Sequence, residues 1–224
     1  METRLSDILT ALIDDYITTA IPVGSQALVR MHKLDVSSAT VRNCFAELES
    51  SGFLIQPHTS AGRIPTEKAY RWYADELRNT SISNNDLSPL STLQFEDAEP
   101  ISKLKRIAKA CVKVTGVAAL VGTNSSDTYY TGLSELFAQP EFQDWSKVVS
   151  MGSVLDDLDE RISKLREQRY IEPTIMLGRE CPFGNACAAM LLTLPENAIL
   201  ILLGPMRMNY RKAHGAMNLI QEYV

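Results

Sequence analysis

Apolar positions in the first third of the chain recur with the 3.6-residue period of amphipathic helices, punctuated by turn residues. Leu5, Ile8, Leu9, Leu12, Ile13, Tyr16 and Ile17 outline a first helix, with Ser6 as its expected N-cap and Pro22 near its end. Asp7, Asp14 and Asp15 fall on its other faces. Gly24-Ser25 opens a short second helix in which Ala27, Leu28 and Met31 are predicted to face inward. After a turn at Leu34-Asp35-Val36, Ser37 is placed to cap a third helix with Val41, Phe45 and Leu48 as its buried stripe. Ser51-Gly52 stops that helix. Phe53-Leu54-Ile55-Gln56 has strand character, Pro57 to Gly62 is turn-rich, and Arg63-Ile64-Pro65-Thr66 returns. Thr66 then caps a helix through Tyr70, Tyr73 and Leu77. Three helices, a β-hairpin and an exit helix predict a winged helix-turn-helix over residues 1–78.

The pattern then lapses. Between Asn79 and Pro100, Ser, Asn, Thr and Pro dominate, which predicts a solvated linker over 79–100. A second domain is expected over 101–224. It begins with a basic amphipathic helix, Ile101 to Thr115, bearing Lys103, Lys105, Arg106, Lys109 and Lys113. Such a face is either solvated or attached to a membrane surface. Val117-Ala118-Ala119-Leu120-Val121 has the continuous apolar character of a strand covered on both faces. Helices are expected around Gly132–Gln139 and from Phe142 towards Tyr170, and strands at Pro173–Gly178, Cys187–Leu194 and Ala198–Gly204. A closing helix runs from about Asn209 to Tyr223. The fold class is α+β: a winged helix-turn-helix followed by a small α/β sandwich with a mainly antiparallel sheet.

Charge changes this picture little. The 224-residue chain carries a formal net charge of −5, which by itself disfavours nucleic acid. From Arg30 to Arg71, however, six cations face four anions, with His32 and His58 in reserve, so the predicted DNA-binding segment is positive. No run of about 18 apolar residues and no signal-peptide core is present, so a cytoplasmic protein is expected. Cys44, Cys111, Cys181 and Cys187 form no CxxC pair and read as small buried side chains rather than disulfides or zinc ligands.

A helix that enters the major groove needs hydrogen-bonding side chains away from its buried stripe. Ser38, Thr40, Arg42 and Asn43 on the third helix meet that need. Ser37, Ser38 and Thr40 are short enough to let the helix N-terminus approach a phosphate, or Ser37 and Ser38 serve only as caps. Arg42 can reach a guanine edge or a phosphate, or pair with Glu47 or Glu49, and Asn43 can pair with adenine. In the hairpin tip, His58, Thr59, Ser60 and Arg63 are candidate contacts to the DNA backbone or the minor groove.

Five strings together resemble one family, the heat-inducible transcription repressor HrcA. They are Pro22-Val23-Gly24-Ser25, Val36 to Asn43, Gln56 to Thr66, Tyr130 to Phe142, and Leu203 to Tyr210. The resemblance implies a homodimeric repressor of chaperone genes that binds an inverted repeat in double-stranded DNA and depends on the GroE chaperonin. It further implies that the second domain is GAF-like. The chain departs from the family in passing almost directly from Val121 to the Tyr130 string, where a dimerisation insert and part of the sheet are expected. Cys44 also stands where an acidic residue is expected. Dimer contacts are therefore expected from Ile101–Thr115 and from the helices between Leu133 and Leu165, with Trp145 either an interface anchor or core.

Other classes have less support. There is no Gly-rich phosphate loop, no Gly-x-Ser-x-Gly elbow and no HExxH, so no enzyme, cofactor or metal is expected. Asp156, Asp157, Asp159 and Glu160 lie beside Arg161, Lys164 and Arg166, as on a solvated helix face. The open alternative is a ligand-sensing regulator with a small-molecule pocket in the second domain, where Gly204-Pro205-Met206-Arg207 either closes the pocket or simply turns the chain.

Overall fold

The computed structural model describes residues 3–77, 87–93, 99–123 and 128–223. The chain divides into two units, Met1–Glu76 and Leu77–Val224.

Unit 1 contains α1 (Thr3–Thr19), α2 (Ser25–His32), α3 (Ser38–Ser50), β1 (Leu54–Ile55), β2 (Ile64–Pro65) and α4 (Glu67–Leu77). Leu5, Ile8, Leu9, Leu12 and Ile13 bury one side of α1. Against them lie Leu28, the α3 stripe Val41, Phe45 and Leu48, and Tyr70 and Tyr73 of α4. Removing each such aliphatic or aromatic side chain from water contributes about 1.5–3 kcal/mol before chain entropy is counted. Two expectations fail locally. Ser6 is not an N-cap: α1 begins earlier, and the Ser6 hydroxyl donates to the Thr3 carbonyl from within the first turn. Met31 is 61% exposed, because the last turn of α2, with His32 and Lys33, clears the core and leaves Leu28 as its one buried anchor. β1 and β2 pair antiparallel, Leu54 opposite Pro65 and Ile55 opposite Ile64.

Unit 2 contains α5 (Ser88–Ser91), α6 (Pro100–Thr115), β3 (Ala118–Gly122), β4 (Thr128–Thr131), α7 (Leu133–Phe137), α8 (Trp145–Asp156), α9 (Leu158–Arg166), β5 (Thr174–Leu177), β6 (Cys187–Thr193), β7 (Ile199–Pro205) and α10 (Tyr210–Tyr223). The five strands form one antiparallel sheet in the order β4-β3-β7-β6-β5. Alternation decides which helices cover which face. Ala118 and Leu120 pack with Leu136, Met151, Val154, Leu158, Ile162 and Leu165 of α7, α8 and α9. Their neighbours Ala119 and Val121 point the other way, to the side where α6 and α10 bury Ile107, Cys111, Ala213 and Met217.

The linker expected over 79–100 lies largely outside the described residues. Its described part is not solvated throughout: Leu87 and Leu90 are buried, and α5 packs on α6 and α10. Two leucines three residues apart among Ser and Pro are enough to hold a single turn, yet too few to establish a period. β4 also went unpredicted, because Thr128-Tyr129-Tyr130-Thr131 lacks the apolar alternation that marks a strand.

Candidate nucleic-acid interface

Ser37 sits at the N-cap of α3 with extended backbone, and its Oγ accepts from the Thr40 N–H at 3.0 Å. The hydroxyls of Ser37 and Thr40 also bond to each other at 2.9 Å. Ser38 and Thr40 are half-buried, so the short polar residues organise the helix end as caps do. Arg42 and Asn43 are exposed, and neither side chain has a hydrogen-bond or ion-pair partner among the described residues. Ala39, Ala46, Glu47 and Ser50 complete the exposed face of α3. Ala39 and Ala46 were missed in the sequence because they carry no polar group. Their small size nevertheless lets a helix approach base edges, and a methyl side chain suits the thymine methyl.

Of the six cations between Arg30 and Arg71, three are engaged within unit 1. Arg63 Nε lies 3.0 Å from Glu49 Oε2, and Arg71 pairs with Glu67. Lys68 Nζ donates to the Ser51 carbonyl and stands 4.4 Å from the centre of the Phe53 ring. Arg30, Lys33 and Arg42 remain exposed with no acidic partner among the described residues. Arg30 lies in the last turn of α2 and Lys33 caps its C-terminus, a clustering of charge that the sequence shows only as composition. Lys33 closes the α2–α3 turn in the left-handed conformation, at φ 49° and ψ 43°. His32 is not a spare cation. Its Nε2 lies 2.8 Å from Asp15 Oδ1, and this contact accompanies the burial of an Asp expected on an outer face of α1.

The hairpin tip is held from beneath. The Gln56 side-chain amide donates to the carbonyls of both Thr59 and Ala61 at 3.0 Å, and the Ala61 N–H donates to the His58 carbonyl. Arg63 and Val23 exchange two backbone hydrogen bonds of 2.9 Å, one in each direction. Gly62 is required at this crossing, because a Cβ there would lie 2.4 Å from the Val23 carbonyl carbon and oxygen. The Pro22–Ser25 and Gln56–Thr66 strings thus meet in space. Above the crossing, Pro57, His58, Thr59 and Ser60 are all exposed. Arg63 is half-buried, with its guanidinium turned to Glu49.

The Tyr130–Phe142 and Leu203–Tyr210 strings of unit 2 meet as well. Arg207, 8% exposed, donates to Glu141 Oε1 and Oε2 at 2.5 and 3.1 Å and to Gln139 Oε1 at 2.8 Å. Gly204-Pro205-Met206-Arg207 is therefore a braced turn between β7 and α10. All four cysteines are buried, and none is in a disulfide. Burial pushes the thiols of Cys111 and Cys187 up to about 12 and that of Cys181 to about 11, so they stay protonated at neutral pH. Trp145 is 75% exposed, which removes the core reading of that side chain. Among the described residues, no His, Cys, Asp and Glu cluster could hold a metal ion, and no helix is long and apolar enough to cross a membrane.

Residues 65–213 match the family model described as HrcA protein C terminal domain. The chain belongs to the HrcA family. The heat-inducible transcription repressor HrcA of Acetivibrio thermocellus is 42% identical over 122 residues, which is 54% of this chain and 35% of that protein. The repressor of the same name from Geobacter sulfurreducens is 63% identical over 70 residues, 31% of this chain and 20% of that one. The matched stretches thus span about a third or less of these HrcA relatives' length. A solved hypothetical protein shares the fold with a TM-score of 0.85 at 17% identity, covering 100% of this chain and 97% of that one.

Proposed function

We propose that this HrcA-family chain is a transcription repressor of heat-shock genes that reads an inverted repeat in double-stranded DNA. Unit 1 acts as a winged helix-turn-helix, with α3 in the major groove and the hairpin tip as the wing. The observation that carries this reading is the pair Arg42 and Asn43, exposed and uncommitted on the helix whose other side buries Val41, Phe45 and Leu48. Ser37, Ser38 and Thr40 bring the N-terminus of α3 to a phosphate, where its free amides favour an anion. Thr59, Ser60 and His58 work along the backbone, with Arg63 joining them when it leaves Glu49, and Arg30 and Lys33 add charge where α2 crosses it. The names of the relatives supply the heat-shock role.

Unit 2 acts as the GAF-like effector half in a cytoplasmic homodimer, since an inverted repeat calls for two readers related by a two-fold axis. Exposed Trp145 and Val149, one turn apart on α8, offer an apolar anchor for that contact. The GroE chaperonin is the partner that the family resemblance adds.

The test begins with a duplex selected by the chain from a randomised library. Arg42→Ala costs about 1–3 kcal/mol on the selected duplex and far less on a scrambled one, measured by fluorescence anisotropy. Equal weakening on both would move Arg42 to a phosphate, and failure of the wild-type chain to enrich any sequence would reject sequence-specific reading.

A further inference from the structure

α6 carries a surface that the reading above leaves unused. Lys105, Lys109 and Lys113 follow one another at four-residue intervals, about 6 Å apart along the axis, and all three are exposed. Arg106 is exposed beside them. The Lys105 ammonium stands 5.3 Å from the centre of the Tyr129 ring on the neighbouring strand β4. Lys109 and Lys113 have no partner among the described residues. No Asp or Glu occurs anywhere in α6.

An ordinary solvated helix is built differently, and α9 of the same unit shows how. There Asp157 pairs with Arg161 and Glu160 with Lys164, each four residues on. Such interleaving stabilises a helix, whereas like charges four apart destabilise it. A row of uncompensated lysines in a chain of net charge −5 is therefore a concentrated positive feature held against local repulsion.

The opposite side of α6 decides what the row can meet. Ile107, Ala108, Cys111 and Val114 are all buried within unit 2. A helix that lies on a membrane must instead offer its apolar face to the lipid. A ligand for this stripe has to be recognised by charge, over a length of at least two helical turns. Duplex DNA has that form, with one phosphate charge per about 1.7 Å of axis.

We propose that Lys105, Lys109 and Lys113 of α6 form a sequence-independent contact to the phosphate backbone of duplex DNA. This inference rests on the DNA-binding reading of unit 1, and the experiment separates the two. The probe is a fluorescein-labelled 60-base-pair duplex of arbitrary sequence, titrated with the full chain between 50 and 200 mM salt. The triple variant Lys105→Gln, Lys109→Gln, Lys113→Gln is compared with Lys147→Gln, Lys164→Gln, Lys212→Gln, which makes the same change in net charge elsewhere on unit 2. Each phosphate contact contributes about 0.9 to the slope of log K against log salt, so the α6 variant is expected to lose about 2–3 of slope and the control triple none. An unchanged slope in the α6 variant, or an equal loss in both triples, overturns the proposal while leaving α3 in place. A wild-type chain that does not bind the duplex overturns the DNA reading itself. Loss of binding to vesicles of phosphatidylcholine and phosphatidylserine, with the DNA slope intact, would assign the stripe to an anionic membrane and overturn it too.

Discussion

In each unit, two strings far apart in the sequence converge, but they do so by different chemistry. In unit 1 the crossing of Val23 and Arg63 is made by backbone groups and admitted by Gly62, so nearly every side chain above it stays available. In unit 2 the crossing is made by side chains, and Arg207, Glu141 and Gln139 are used up in joining each other. A surface meant to meet a partner is better supported by backbone pairing, which leaves the side-chain donors free. A brace inside a domain can use a buried ion pair, because nothing else needs those groups.

The contrast breaks most sharply at Arg207. Arg207→Met strands Glu141, whose side chain is 23% exposed, and is expected to destabilise unit 2 by about 2–4 kcal/mol in urea denaturation. Adding Glu141→Gln should recover part of that loss; if the double variant is no better than the single, the pairing is not what holds the turn. Next comes Gly62→Ala, which must separate the Val23 and Arg63 backbones. It is expected to cost about 1–3 kcal/mol and to weaken DNA binding together with stability. Full stability in that variant would mean that the crossing yields without cost. The smallest effect is expected from Glu49→Gln. The Arg63–Glu49 pair is partly exposed, so stability should move by less than about 1 kcal/mol. The released guanidinium should tighten binding to an arbitrary duplex at low salt by about two- to fivefold, and unchanged affinity would leave Arg63 a structural residue of the hairpin.

These outcomes bear on what a sequence can disclose. The capping by Ser37 and the stripe Val41, Phe45 and Leu48 were legible because both depend on neighbours within two turns. The exposure of Arg42 and Asn43 followed from the same period. Met31 was misplaced because periodicity says which way a residue points, not whether the core extends that far. The partners of Arg63 and His32 were invisible, since Glu49 and Asp15 lie fourteen and seventeen residues away in sequence and only tertiary packing brings them close. The same holds for Arg207 and Glu141, which the sequence showed only as members of two recognisable strings.

The strand order of unit 2 also has a consequence in time. β7, the last strand in sequence among the described residues, lies in the middle of the sheet, between β3 and β6. Its pairing with β3 joins residues such as Leu120 and Ile201, about eighty positions apart, so this contact closes late and slowly. During synthesis, β3 with β4 and β5 with β6 can each form a hairpin as soon as they emerge. Both then present an apolar edge that has no neighbour until Ile199–Pro205 is made. Open edges of that kind are where nascent chains associate with one another. On this topology unit 2 is expected to pass through an interval with both edges uncovered, its length set by the rate of translation.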